Sequence, residues 1–301
     1  MKKMGIFIVL SLLVSMLIGC QPRFQPGTYT DDMGREVRID KVPQRIISLA
    51  PSHTEILFAL GLSDRVIGVT SYCNYPEEAK GKEKIGGFAT AEIEKIIALN
   101  PDLILAFGTL QKSLVTELED RGQTVFHLYP HNVKDILESF ERIGEITGTV
   151  SAAKKLRKGI EERIRVVQEN IKDIPEREKV TVFRVMGLDP PATIGGDAFQ
   201  TDVYRLAGGR NVFGNTKKDY FQFDLQTLVT LKPDIIVVGV GDEEEEEAKA
   251  RVRSQEGWGN LDAVKSDRIV TISTDLICRP SPRIAETIEL LAKKFYPERF
   301  N

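Results

Sequence analysis

Apolar positions spaced three or four apart mark residues 151–172 as one long helix, with Ala152, Leu156, Ile160, Ile164, Val167 and Ile171 on a single stripe and no proline before Pro175. Ser151 is placed to cap its start, and Glu161 to pair with Arg165 one turn on. At 1.5 Å per residue such a helix spans roughly 30 Å, about the width of a small domain. Two copies of another pattern flank it. Residues 92–106 and 224–238 each read as a short amphipathic helix, a Pro-Asp stop and a continuous apolar run suited to a buried parallel strand. The simplest architecture is two α/β lobes held by one helical strut.

The chain opens on Lys2 and Lys3 before an apolar run over residues 6–17, the layout of a secretory signal, and the run is short for a membrane span. Leu17-Ile18-Gly19-Cys20 resembles the lipobox of bacterial lipoproteins. That resemblance implies removal of residues 1–19 and lipidation of Cys20, with the protein held on the outer face of a membrane. Residues 21–32 are polar, carry Pro22, Pro26 and Gly27, and read as a tether.

Composition fits a water-soluble body beyond that anchor. The formal net charge is only −3, which offers no electrostatic pull toward nucleic acid. Besides Cys20 only Cys73 and Cys278 are present, one in each lobe, too few for a disulfide framework and expected as free thiols.

Residues 45–61 read as strand, turn and helix, with Gly61 as the stop. The turn at residues 50–54 lies at the carboxyl end of its strand, where open α/β sheets bind ligands. A second strand at residues 65–70 runs into a loop carrying Tyr72 and Tyr75, and Phe88 follows Gly86-Gly87. Tyr75 is expected to pack its loop onto its own lobe. His53, His127 and His131 are scattered, and no G-x-S-x-G elbow accompanies Ser52. Neither a metal centre nor a catalytic nucleophile is indicated. The acidic run at residues 242–247 reads as a helix start that favours negative charge.

Pro51-Ser-x-Thr-Glu, Gly68-Val-x-Ser-Tyr72, Tyr75-Pro-x-x-Ala79, Gly87-Phe88 and Ile93-Glu-Lys-Ile-x-Ala-Leu-x-Pro-Asp102 together resemble the iron-siderophore and cobalamin class of ABC-transporter substrate-binding proteins. Gly187-x-x-Pro-Pro191, Ala207-Gly-Gly-x-Asn-Val-Phe213, Ser273-x-Asp275 and Ser281-Pro-Arg283 look like its cobalamin-binding branch. The resemblance runs from about Arg45 to the C-terminus. It implies a class III periplasmic-binding-protein fold, two Rossmann-like α/β lobes joined by a single long α-helix, with ligand in the cleft and little hinge motion. The expected layout is a signal at 1–19, a lipidated tether and lead-in at 20–43, an N-terminal lobe at 44–132, a helical segment at 133–176 and a C-terminal lobe at 177–301.

By the same resemblance, Pro51, Ser52, Tyr72, Phe88, Tyr220, Asp275 and Arg279 are ligand contacts. Glu94 and Gln226 stand where family members place permease-docking glutamates, and Gln226 cannot form an ion pair. Asp224, two residues back, would point elsewhere. Ala192 falls where the cobalamin binder has phenylalanine, which implies a thinner pocket wall. A corrin or porphyrin is a broad, largely apolar disc with a polar rim, so flat rings and a few placed polar groups suit it. Anionic ferric siderophores would instead want converging arginines, with Arg184, Arg279 and Arg283 as candidates; for Arg283 a helix-start salt bridge is the better reading. A haem-ligating His53 is a further alternative.

The expectation is a monomeric, non-enzymatic, membrane-tethered binding protein that delivers cobalamin to an ABC permease dimer with its ATPase subunits. Ferric siderophore and haem are the alternatives. No resident cofactor is implied, because such a ligand carries its own metal. Readings from other classes are an anchored hydrolase, which would need an activated nucleophile, or a receptor subunit reporting ligand occupancy.

Overall fold

The computed structural model describes residues 24–300, so Cys20 and the signal reading lie outside the described residues. Strands β1 (Gly27–Thr30) and β2 (Glu36–Ile39) form an antiparallel hairpin. Its turn buries Asp31, whose carboxylate accepts from the Met33, Arg35 and His127 amides. The tether expected to reach residue 32 is therefore folded from Gly27 onward. Four-residue strands with polar outer faces give little period-2 signal in sequence.

Strands β3 (Ile46–Ser48), β4 (Val66–Val69), β5 (Glu83–Lys84), β6 (Leu103–Phe107) and β7 (Val125–Leu128) build the first lobe. They form a parallel sheet in the order β5-β4-β3-β6-β7. Alternate residues of the apolar runs enter opposite cores. Ile46, Leu103 and Leu105 join one, and Ile47, Ile104 and Ala106 the other. This two-sided burial explains why the runs are unbroken.

From β7 the chain enters the helix Val133–Thr147, capped by the Asn132 side chain on the Asp135 amide and ended by Gly148 at φ 75°. The strut follows as Val150–Ile171, one residue earlier than expected, with Thr149 rather than Ser151 at its N-cap. Ala153, Ile160, Ile164, Val167 and Ile171 are buried, while Ala152 and Leu156 only flank the stripe. Glu161 pairs with Arg157, and Arg165 with Glu162, in place of the expected Glu161–Arg165 pair. The strut packs on the helices Val133–Thr147 and Ile284–Phe295, one from each side of the chain.

The second lobe contains β8 (Thr181–Val185), β9 (Gly187–Leu188), β10 (Pro191–Ile194), β11 (Arg210–Asn211), β12 (Tyr220–Gln222), β13 (Ile235–Val240) and β14 (Ile269–Ser273). The parallel sheet runs β11-β8-β13-β14, and β12-β10-β9 form a small antiparallel sheet beside it.

The two copies of the helix-Pro-Asp-strand pattern are built alike. The helices Ile93–Ala98 and Leu225–Leu231 end near Asn100 and Lys232, both left-handed at φ 49° and 47°, before Pro101 and Pro233. The following aspartates then reach across to the neighbouring strand. Asp102 accepts from the Gln44 and Arg45 amides ahead of β3, and Asp234 from the Thr181 amide and hydroxyl at the start of β8. Pro-Asp thus stops a helix and aligns two adjacent strands. In each sheet the strand order reverses next to the aligned strand, at β3/β6 and at β8/β13. Those switch points open toward the carboxyl ends of the strands, where the two lobes meet.

Candidate ligand cleft

The segment after β3 starts a helix at Pro51, where a missing N–H costs nothing, so residues 50–52 reach the cleft at the β3/β6 switch point. Phe107 ends β6 beside it. From the other lobe comes the short helix Thr274–Ile277 after β14. These pieces line a cavity of about 540 Å³ that holds Pro51, Ser52, Tyr72, Phe88, Asp275 and Arg279 together. Tyr220 lines an adjoining cavity of about 360 Å³ with Tyr129, His131 and Met186, and Phe107 and Cys278 line both. Tyr72 is 60% exposed and Tyr220 54%, unusual for large rings and apt for stacking.

A larger hollow of about 930 Å³ contains none of the seven expected contacts. Its charged lining is engaged internally, as in Arg205 with Asp202, and it reads as a solvated furrow. Ala192 lines neither cleft cavity: it is 2% exposed, within β10. The pocket wall expected to be thinned there is elsewhere.

Arg279 is not a free hand for ligand. It is 8% exposed, and its Nη1 donates to Glu55 at 3.1 Å and to Asn74 at 2.8 Å. Its Nη2 donates to the Tyr72 carbonyl and to Asp275, and the Asn74 amide donates to the other Asp275 oxygen at 2.8 Å. Arg283 donates twice to Glu55, at 2.9 and 2.6 Å, and Ser281 donates at 2.7 Å. This is the helix-start salt bridge expected of Arg283, with its partner on the opposite lobe. Its guanidinium also lies 4.2 Å from the Tyr75 ring centroid, so Tyr75, expected to pack its loop onto its own lobe, also packs across the lobes. Glu55, only 3% exposed, is the hub, and it was not singled out from sequence. An acid followed directly by Ile56, Leu57 and Phe58 in a buried helix was the available signal.

Gln111 was also missed. It is fully buried, its Nε2 donates to the Leu49 and Phe88 carbonyls at 2.7 and 2.8 Å, and its Oε1 accepts from the Phe107 amide. One amide side chain thereby fixes three cleft-lining segments of the first lobe.

On the other side of the cleft the Tyr129 hydroxyl donates to Asp219, and burial together with that carboxylate pushes the phenol's pKa up. His131 stacks edge-on to Tyr129 at 4.5 Å, with Nδ1 3.5 Å from Asp219 and 3.3 Å from the Asp197 carbonyl. Phe107 lies 5.9 Å from Tyr129 and 5.7 Å from His53. His53 is buried behind Phe107 and does not line the cleft, which removes it as a haem ligand. Burial, with His127 nearby, lowers its pKa to about 3. Arg184 is likewise buried, its Nη1 donating to the Val185 and Val237 carbonyls, so the three candidate arginines do not converge on open space.

Glu94 is exposed on the first turn of its helix and pairs with Arg121 at 2.9 Å. Gln226 is exposed at the matching place in the second repeat, and Asp224 is occupied capping that helix through the Gln226 amide. Among the described residues no group of three or more His, Cys, Asp or Glu could hold a metal ion, and no helix is long and apolar enough to cross a membrane.

Residues 46–276 match the periplasmic binding protein family. The chain belongs to that family. It is 34% identical, over 99% of both chains, to the uncharacterised ABC transporter substrate-binding lipoprotein YvrC of Bacillus subtilis (strain 168). It is 29% identical to the vitamin B12-binding protein of Vibrio parahaemolyticus serotype O3:K6 (strain RIMD 2210633), over 84% of this chain and 89% of that one. Among solved structures, the periplasmic vitamin B12 binding protein BtuF of Vibrio cholerae superposes with a TM-score of 0.73 at 25% identity, over 86% of this chain and 99% of that one. The fold is that of a class III periplasmic binding protein. The chain is a substrate-binding protein of an ABC transporter, and such proteins work with a permease and an ATPase.

Proposed function

We propose that this protein captures cobalamin between its lobes and hands it to a permease, while anchored to the cell envelope through Cys20. The observation that carries this reading is the cleft's balance of groups. Exposed rings stand on both walls, and the arginines that an anionic siderophore would need are spent on protein partners. A large disc with neutral amides on its rim suits that surface, and the vitamin B12-binding relatives support it. Pro51, Ser52, Phe88 and Asp275 would contact the ligand beside the Tyr72 and Tyr220 platforms, while Arg279 acts by holding the walls together. The protein itself needs no resident cofactor and acts as a monomer, with Glu94 and Gln226 toward the permease.

Calorimetric titration of the chain from Gln21 onward with cyanocobalamin, a ferric hydroxamate, a ferric catecholate and haemin tests the ligand. Saturable one-to-one binding of cyanocobalamin at micromolar affinity or better is expected, with the iron chelates silent. Binding of an iron chelate in its place would overturn the cobalamin reading.

A further inference from the structure

Cys278 and Phe107, one from each lobe, stand where the two cleft cavities join. Behind the Cys278 sulfur, 3.9 Å away, lies Nη2 of Arg184. That guanidinium is 3% exposed and has no carboxylate within ion-pair distance among the described residues. Two backbone carbonyls take Nη1, and Nε has no hydrogen-bond partner among the described residues. The Tyr204 hydroxyl, fully buried and also without a partner among the described residues, lies in the electrostatic reach of both Arg184 and Cys278. A buried cation without a counter-ion is costly, and here the one soft, ionisable group beside it opens onto the ligand cavity.

We propose that Cys278 is an axial ligand for the metal of the bound chelate, with Arg184 as the counter-charge to the coordinated sulfur. This rests on the cobalamin reading of the cleft. The step is a ligand exchange without redox change: the metal–oxygen bond to an axial water breaks, a metal–sulfur bond forms, and the thiol proton leaves to solvent with the water. A coordinating thiol gives up its proton outright, and the negative charge then sits against the guanidinium that lacked one. The substrate class is a planar macrocycle whose metal carries an exchangeable axial water, such as an aquo cobalt(III) corrin. A hexadentate siderophore leaves no position open on its iron.

Visible absorption of the full chain, titrated with aquocobalamin and with cyanocobalamin, reads the bond directly. Wild type is expected to shift the aquocobalamin bands on binding and to leave those of cyanocobalamin in place. Cys278→Ser should lose the shift and bind aquocobalamin at least tenfold more weakly than wild type. Arg184→Met should weaken aquocobalamin at least tenfold while cyanocobalamin stays within twofold; should that variant not fold, Cys278→Ser decides alone. Bound aquocobalamin with unshifted bands, or a shift that survives in Cys278→Ser, overturns the inference and leaves the ligand reading standing. Failure of both corrins and of haemin to bind overturns the two together.

Discussion

The cleft is closed by two contacts between the lobes, and they are built from opposite materials. On one side Glu55 receives Arg279, Arg283 and Ser281, all from the second lobe, in a largely buried site. On the other, Tyr129 and His131 meet Asp219 at a half-exposed edge, backed by a run of rings through Phe107 to the neutral His53. The first is charged and saturated: both Glu55 oxygens and four Arg279 bonds are in use. The second joins a neutral phenol and an imidazole to a carboxylate that water can still reach. A buried ion network tolerates little displacement, because a small opening strands charge in a dry site. A solvated contact can open and be rehydrated cheaply. The lobes are therefore pinned more firmly along the Glu55 edge, and the Tyr129 edge is the cheaper one to open.

The largest loss is expected at Glu55. Glu55→Ala leaves Arg279 and Arg283 facing a buried void, with side chains 9% and 17% exposed. Removing one partner of a buried network costs about 3–5 kcal/mol. Urea unfolding should register that loss, and ligand affinity should fall as the Tyr72 and Asp275 walls lose their tie. A loss below about 1 kcal/mol, the range of an exposed pair, would erase the distinction between the two sides.

Acid should act on the opposite side. His53 titrates near 6.5 when unfolded and at about 3 when folded. Below pH 6.5 the unfolded chain takes up a proton that the folded chain refuses, so stability present above 6.5 is lost as pH falls toward 3. The slope is about 1.4 kcal/mol per pH unit while only the unfolded imidazole is charged. Urea midpoints of wild type and His53→Leu should therefore converge between pH 7 and 5. Parallel curves would mean that the ring stack carries no acid-sensitive group.

Much of this was legible along the chain, and the illegible part has one physical character. The strut and the paired helix-Pro-Asp-strand units are periodic, and periodicity survives without coordinates. Tyr72, Phe88, Asp275 and Arg279 stand together in the cleft as their motifs implied. What sequence did not show is pairing across distance. Glu55 and Arg279 are 224 positions apart, and Tyr129 and Asp219 are 90. Arg279 therefore reads from its motif as a ligand contact alone, because its protein partners are invisible along the chain. Ala192 misled for the converse reason: alignment to a motif says nothing about which face of a strand turns inward.

The smallest expected effect is the one that defines the yielding side. Tyr129→Phe removes the hydroxyl that donates to Asp219 and leaves the ring against Phe107 and His131. Asp219, with its side chain 36% exposed, recovers a water in exchange, so the cost should stay at about 0.5–1.5 kcal/mol. If this edge opens during capture, the variant should bind and release ligand faster in stopped flow with little change in equilibrium affinity, because the contact stabilises the closed form in both the free and the bound protein. A variant that unfolds as readily as Glu55→Ala, or whose binding and release rates both match wild type, would show that the two edges are equally fixed and that the lobes part elsewhere.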